Sequence, residues 1–60
     1  MKYAIYFTWK DGTNDSFNVE SAKERDMNII DMLSRPQDIK AISYCRIYAS
    51  GEYGSRKIVL

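Results

Sequence analysis

The segment Lys2 to Lys10, KYAIYFTWK, sets Tyr3, Ile5, Phe7 and Trp9 on one phase and Lys2, Ala4, Tyr6, Thr8 and Lys10 on the other. A period of two sends alternate side chains to opposite sides of a strand, and aromatic and β-branched residues favour that conformation. The segment is therefore expected to be the central strand of a small sheet, one face built for burial and the other partly wet. Everything after it must supply partners for its two edges and a cover for its apolar face.

Those partners follow in order. Asp11-Gly12 supplies the positive φ of a tight hairpin, with Asp11 and Asn14 able to bond their own backbone. A second strand is predicted over Asp15 to Val19, where Phe17 and Val19 alternate with Ser16 and Asn18; its polar character suits a sheet edge. Ser21-Ala-Lys-Glu24 is a capping box, in which the serine hydroxyl accepts from the amide three residues on and Glu24 reaches back to the Ser21 amide. The helix it opens stops at Arg35-Pro36, because proline disfavours helix in the preceding residue. Its apolar stripe is expected at Ala22, Ile29 and Leu33, flanked by Ile30 and Met32. Met27 points elsewhere, either as an isolated exposed methionine or as a partner contact.

A second strong strand is expected over Ile39 to Ala49, but both of its phases are suited to burial. Ala41, Ser43, Cys45, Ile47 and Ala49 form one; Ile42, Tyr44, Arg46 and Tyr48 form the other. The first is assigned to the helix side, since small residues admit a close helix and an unpaired buried Arg46 would be costly. A turn holding Gly51 and Gly54 leads to a last strand over Arg56 to Leu60, with Ile58 and Leu60 inward and Lys57 and Val59 outward. The predicted fold class is α+β: one domain over residues 1–60, ββαββ, a two-layer sandwich of one helix on a four-stranded, mainly antiparallel sheet. Ile5, Phe7, Phe17, Ile29, Leu33 and Ile47 are its expected core. The strand order is 2-1-3-4, or 2-1-4-3 with one parallel pair.

A chain of 60 residues buries little of its surface, so its stability is expected to be marginal. One cysteine excludes an internal disulfide, and without histidine the usual zinc ligand sets are missing. Pairing with a second copy is then the expected staple. No apolar run approaches the roughly 20 residues that cross a bilayer, and no charged and apolar leader opens the chain, so a soluble, cytoplasmic protein without membrane contact is expected. A net charge of +1 does not by itself imply nucleic acid. Cys45 has no neighbouring base in the sequence and is expected to be a small core residue; the carboxylates form no placed pair, and the glycines do not follow phosphate-loop spacing. The chain is read as non-enzymatic, with no cofactor and no metal.

The feature that points to binding is the sheet face expected opposite the helix. Tyr6, Tyr44 and Tyr48 are placed there with Lys2, Lys10, Arg46 and Lys57. Tyrosine and arginine mark protein interfaces, and a bare sheet face is best buried against a partner, either a second copy in a homodimer or a foreign protein. The alternative is a single-stranded nucleic acid, its bases stacked on the rings and its phosphates on the cations, although no RNP-type motif is present. In size and in its lack of catalytic signature the chain is similar to the small accessory proteins of phages and mobile elements, many of which bind and block a host protein. That similarity is one of kind, carried by no motif, and implies an inhibitor or adaptor.

Overall fold

The computed structural model describes all residues, 1–60. Five elements follow one another: β1 (Lys2–Trp9), β2 (Asn14–Val19), α1 (Ala22–Leu33), β3 (Ile39–Ile47) and β4 (Lys57–Ile58). The sheet order is β2-β1-β3-β4 with every pair antiparallel, and α1 lies on one face. This is the ββαββ sandwich in its 2-1-3-4 order. The strand richest in alternating apolar residues occupies the centre, where both of its edges are paired.

Both hairpin turns close in the same way. Trp9 N–H donates to the Thr13 carbonyl (2.8 Å) and Gly12 N–H to the Trp9 carbonyl (2.9 Å); Tyr48 N–H donates to Glu52 (2.8 Å) and Gly51 N–H to Tyr48 (2.9 Å). In each the glycine sits at positive φ, 93° and 90°, the residue that a three-residue hairpin loop sends into the left-handed region. The Asp11 carboxylate accepts from the Thr13 N–H at 2.8 Å, and that bond holds its pKa below the usual value. Because the folded pKa is depressed, the stabilisation is present above the unfolded value of about 3.9 and is lost as pH falls through the folded value. NMR titration of the Asp11 carboxyl should show its midpoint below the model-peptide value, and a midpoint at or above that value would refute the turn assignment. The Asp11→Asn variant, which keeps the local bond, should lack this acid limb.

The capping box forms, with one change. Ser21 accepts from Glu24 N–H at 3.2 Å as expected, but Glu24 reaches the amide of Glu20, also at 3.2 Å, not that of Ser21. The helix buries Ile29 and Met32, with Arg25 one turn earlier on the same stripe. The expected stripe is thereby corrected: Leu33 is 43% exposed, Ile30 and Ala22 are exposed, and Leu33 leaves the core. The residues on the helix side are Tyr3, Ile5, Val19, Ile29, Met32, Ile39 and Ile42, with Phe7, Trp9, Phe17 and Tyr44 packed around them. Ile5 and Ile42 are fully buried, each contributing about 1.5 to 3 kcal/mol by leaving water.

The phase of β3 is the main correction. Residues opposite one another in a pair share a face, and Ile5 stands opposite Tyr44, Phe7 opposite Ile42 and Tyr3 opposite Arg46. Ile42, Tyr44 and Arg46 therefore lie on the helix side, while Ala41, Ser43, Cys45 and Ile47 lie on the open face, and Ile47 is not part of the core. Thr8 faces Ala41 but Trp9 faces Ile39, so Lys40 is an extra residue. This bulge turns Ile39 back to the helix side, which is why Ile39 and Ile42 are both buried despite their odd spacing. The last strand is also shorter than expected and its inward residues are not buried. Ile58 stands opposite Ser43 on the open face, and Ile58 and Leu60 are exposed.

Candidate functional site

The seven residues expected on one sheet face are divided by this register. Lys2 and Tyr6 lie on the open face, opposite Ile47 and Ser43; Lys10 is exposed in the first turn. Tyr44, Arg46 and Lys57 lie on the helix side, and Tyr48, just beyond β3, joins them in the wall of one cleft. The expected platform of three tyrosines on the open face is therefore not assembled. Both phases of β3 are apolar enough to bury, and its pairing with β1 selects the one that carries the tyrosines.

The open face has a different character. Ala4, Ser43 and Cys45 form its floor and are buried even though no helix covers them. Tyr6 lies over them, its hydroxyl 3.7 Å from Cys45 Sγ, and the Arg56 guanidinium stacks 3.7 Å from the centre of the Tyr6 ring. Burial raises the Tyr6 pKa, the Cys45 contact adds to the rise, and Arg56 opposes it. Beside this pair is a shallow hollow of about 360 Å³ lined by Thr8, Asn14, Ser16 and Ser43. The hollow is thus polar, with Asp15 and Arg56 both on its wall and the arginine already stacked.

The four gathered residues stand where α1 stops covering the sheet. The helix packs on β1, β2 and β3 but makes no contact with β4. A cleft of about 390 Å³ opens there, walled by Tyr3, Arg25, Tyr44, Arg46, Tyr48 and Lys57 and closed by Gly54 and Ser55. Gly54 faces Arg46, while Lys57 faces Tyr44, so three residues of the last segment span two of β3. The extra residue at Ser55-Arg56 directs Lys57 into the cleft and Arg56 to the open face. A Cβ on Gly54 would stand 3.4 Å from the Tyr48 ring, so the missing side chain lets that ring lie close against the hairpin.

Arg25 is the residue that sequence reasoning missed. Its guanidinium carbon lies 4.5 Å from the centre of the Tyr3 ring and 4.9 Å from that of Tyr44; its Nε donates to Asp26 Oδ1 at 2.9 Å, and Nη2 stands 2.9 Å from the same oxygen in an ion pair. Burial disfavours its charge, but the Asp26 hydrogen bond and carboxylate outweigh that, with Tyr44 and Tyr3 assisting, and its pKa is raised. Nη1 has no protein partner, and no buried side-chain nitrogen or oxygen lacks one, so its N–H groups open to solvent. The sequence did hold a signal: Arg25 precedes Ile29 by four residues and Met32 by seven, a cation in the buried stripe.

Chemically the cleft offers the guanidinium donors of Arg25 and Arg46, the Lys57 ammonium and aromatic ring faces. No carboxylate lines it, and neither Arg46 nor Lys57 is ion-paired. Comparison with protein-family models, with curated proteins and with solved structures gives no match.

Proposed function

We propose that this protein is a non-enzymatic binding module whose partner is another protein, docked along β4. The observation that carries the reading is the composition of that edge. The sheet ends at β4, so its outer backbone groups have no strand partner. Ile58 is 77% exposed there, next to exposed Val59 and Leu60, with Tyr53 exposed on the same hairpin. β4 itself is only two residues, Lys57–Ile58, so main-chain pairing there is short and the exposed side chains of Ile58, Val59, Leu60 and Tyr53 would carry most of the contact. The opposite edge, β2, reads Asn-Asp-Ser-Phe-Asn-Val and carries the charge and polarity that discourage such pairing. Only ten of the 60 residues are buried, so a partner covering Ile58, Val59 and Tyr53 would add substantially to a small core. This supports an adaptor or inhibitor of a host protein, or a homodimer, over a catalyst.

Light scattering on the purified chain, together with affinity capture from its native lysate, tests the proposal. Wild type should either double its mass or retain a stoichiometric partner, and Ile58→Asp should abolish whichever is seen while leaving the fold intact, because the side chain is exposed. A monomer with no capture that depends on Ile58 would remove the proposal.

A further inference from the structure

We propose that the cleft between α1 and the β3–β4 hairpin binds the phosphate of a nucleotide, with Arg25, Arg46 and Lys57 around the anion and Tyr48 beneath the base. The inference goes beyond the docking of a protein on β4, and it uses a different surface: Lys57 points into the cleft, while Ile58 lies on the open face.

The first argument is charge. Three cations line one cleft of about 390 Å³ that no carboxylate lines. The one carboxylate bound to any of them, Asp26, uses Nε and Nη2 of Arg25, leaving Nη1 open. With Arg46 and Lys57 unpaired and Arg25 paired once, the cleft keeps a net positive charge, and a doubly charged phosphate neutralises more of it than a singly charged carboxylate does.

The second argument is preorganisation. Arg25 rests in the corner of the edge-to-face Tyr3–Tyr44 pair, against both rings and bonded to Asp26, with its side chain only 19% exposed, so little rotational freedom is lost when its free donors engage an oxygen. Arg46, in contrast, is exposed, and its guanidinium lies 5.8 Å from the Tyr48 ring centre, near the outer limit of such a contact. It is free to leave the ring for the phosphate and to expose the ring to a base. Tyr48 rests against Gly54 and is partly exposed, which makes it a supported stacking surface.

The third argument concerns form. Arg56 is on the opposite face, stacked on Tyr6, and Lys2 is paired with Glu20 at 3.9 Å, so these cations do not continue the cleft as a track. One anion site with one adjacent ring fits a free mononucleotide better than a strand threading across the protein.

The test is a ¹H–¹⁵N NMR titration of the whole chain with adenosine monophosphate, adenosine, inorganic phosphate and oligothymidylate. Adenosine monophosphate should move the Gly54, Ser55 and Lys57 amides and the Arg25 Nε–H along a saturating curve, with Kd of about 1 mM or tighter. Adenosine and inorganic phosphate should each bind at least about tenfold more weakly, since each lacks one half of the recognition. Lys57→Gln and Arg46→Gln, both at exposed positions, should weaken binding by about tenfold each, whereas Arg56→Gln should leave it unchanged. The same titration on Ile58→Asp should match wild type, so loss of protein docking and loss of nucleotide binding are told apart. Oligothymidylate separates the two sources of nucleotide. Binding no tighter than the mononucleotide marks a free nucleotide as the ligand; tighter binding with a logarithmic salt slope of about 2, from three contacts, marks the end or turn of a strand held in the same cleft. Absence of saturable shifts with adenosine monophosphate, shifts that map to Tyr6 and Arg56, or wild-type affinity in Lys57→Gln would each overturn the proposal.

Discussion

Ile5→Ala should unfold the domain at room temperature or bring it to the edge of unfolding. Ile5 is fully buried at the centre of the central strand, opposite Phe17 on one side and Tyr44 on the other. Removing a buried isoleucine to alanine costs about 2 to 5 kcal/mol, the lost transfer energy plus the cavity left in a core with little room to collapse. At roughly 0.05 to 0.15 kcal/mol per residue a chain of this length has about 3 to 9 kcal/mol in total. Leu33→Ala is the contrast. Its side chain is 43% exposed and stands outside the core, so the loss should be nearer about 0.5 kcal/mol, a shift of about 2 to 4 °C in Tm. Thermal circular dichroism on the pair decides it; equal shifts would mean that the helix is rotated from the orientation described.

Arg25→Ala should be the most destabilising substitution of a charged residue, at about 1 to 3 kcal/mol. The loss would come from two cation–π contacts, from the packing of the side chain against Tyr3, and from uncovering the edge of the Tyr3–Tyr44 pair, whose ring centres lie 6.4 Å apart. Arg25→Lys should recover little of it. An ammonium is more strongly hydrated and less able to lie against the Tyr3 and Tyr44 rings, and it lacks the fixed Nε–H donor to Asp26. Arg46→Ala in the same cleft should cost about 0.5 kcal/mol or less, since that side chain is exposed. Urea unfolding of the three variants measures this, and an Arg25→Lys variant as stable as wild type would show that charge alone, not the guanidinium group, holds the helix end.

The fold was legible wherever a pattern had one solution. In β1 and β2 only one phase is apolar, in the first turn Asp-Gly fits one conformation, and Ser21 and Glu24 mark one helix start. The phase of β3 was not legible, because Ile42 and Tyr44 on one side and Cys45 and Ile47 on the other are about equally ready for burial. Its register is fixed by pairing with β1 and by the bulge at Lys40, neither of which periodicity reports. Arg46 shares the helix-side phase without the cost of burial, because it lies past the end of the helix's cover and stays wet. Arg25 reversed the usual sorting of helix residues. With a cation accepted into the buried stripe against two rings, Met32 turns inward and Leu33 and Ile30 turn out. The candidate site was half legible for the same reasons: Tyr44, Arg46, Tyr48 and Lys57 do meet, but on the helix side, joined by residues from other segments that no local pattern connects to them.

The unequal edges of the sheet give the molecule a valence. A sheet with two adhesive edges can add units without end, since each addition exposes a fresh edge like the one just used. Here β2 is a polar strand that contains Asp15, while the short β4, Lys57–Ile58, is followed by exposed Val59 and Leu60. Were a second copy to pair through β4, the proposed docking edge, β2 would face water at both ends of the extended sheet, a terminator rather than a template. For two copies docked through β4, as proposed, addition would therefore saturate at one contact per chain, and the sheet would stop at two copies rather than grow into a fibre.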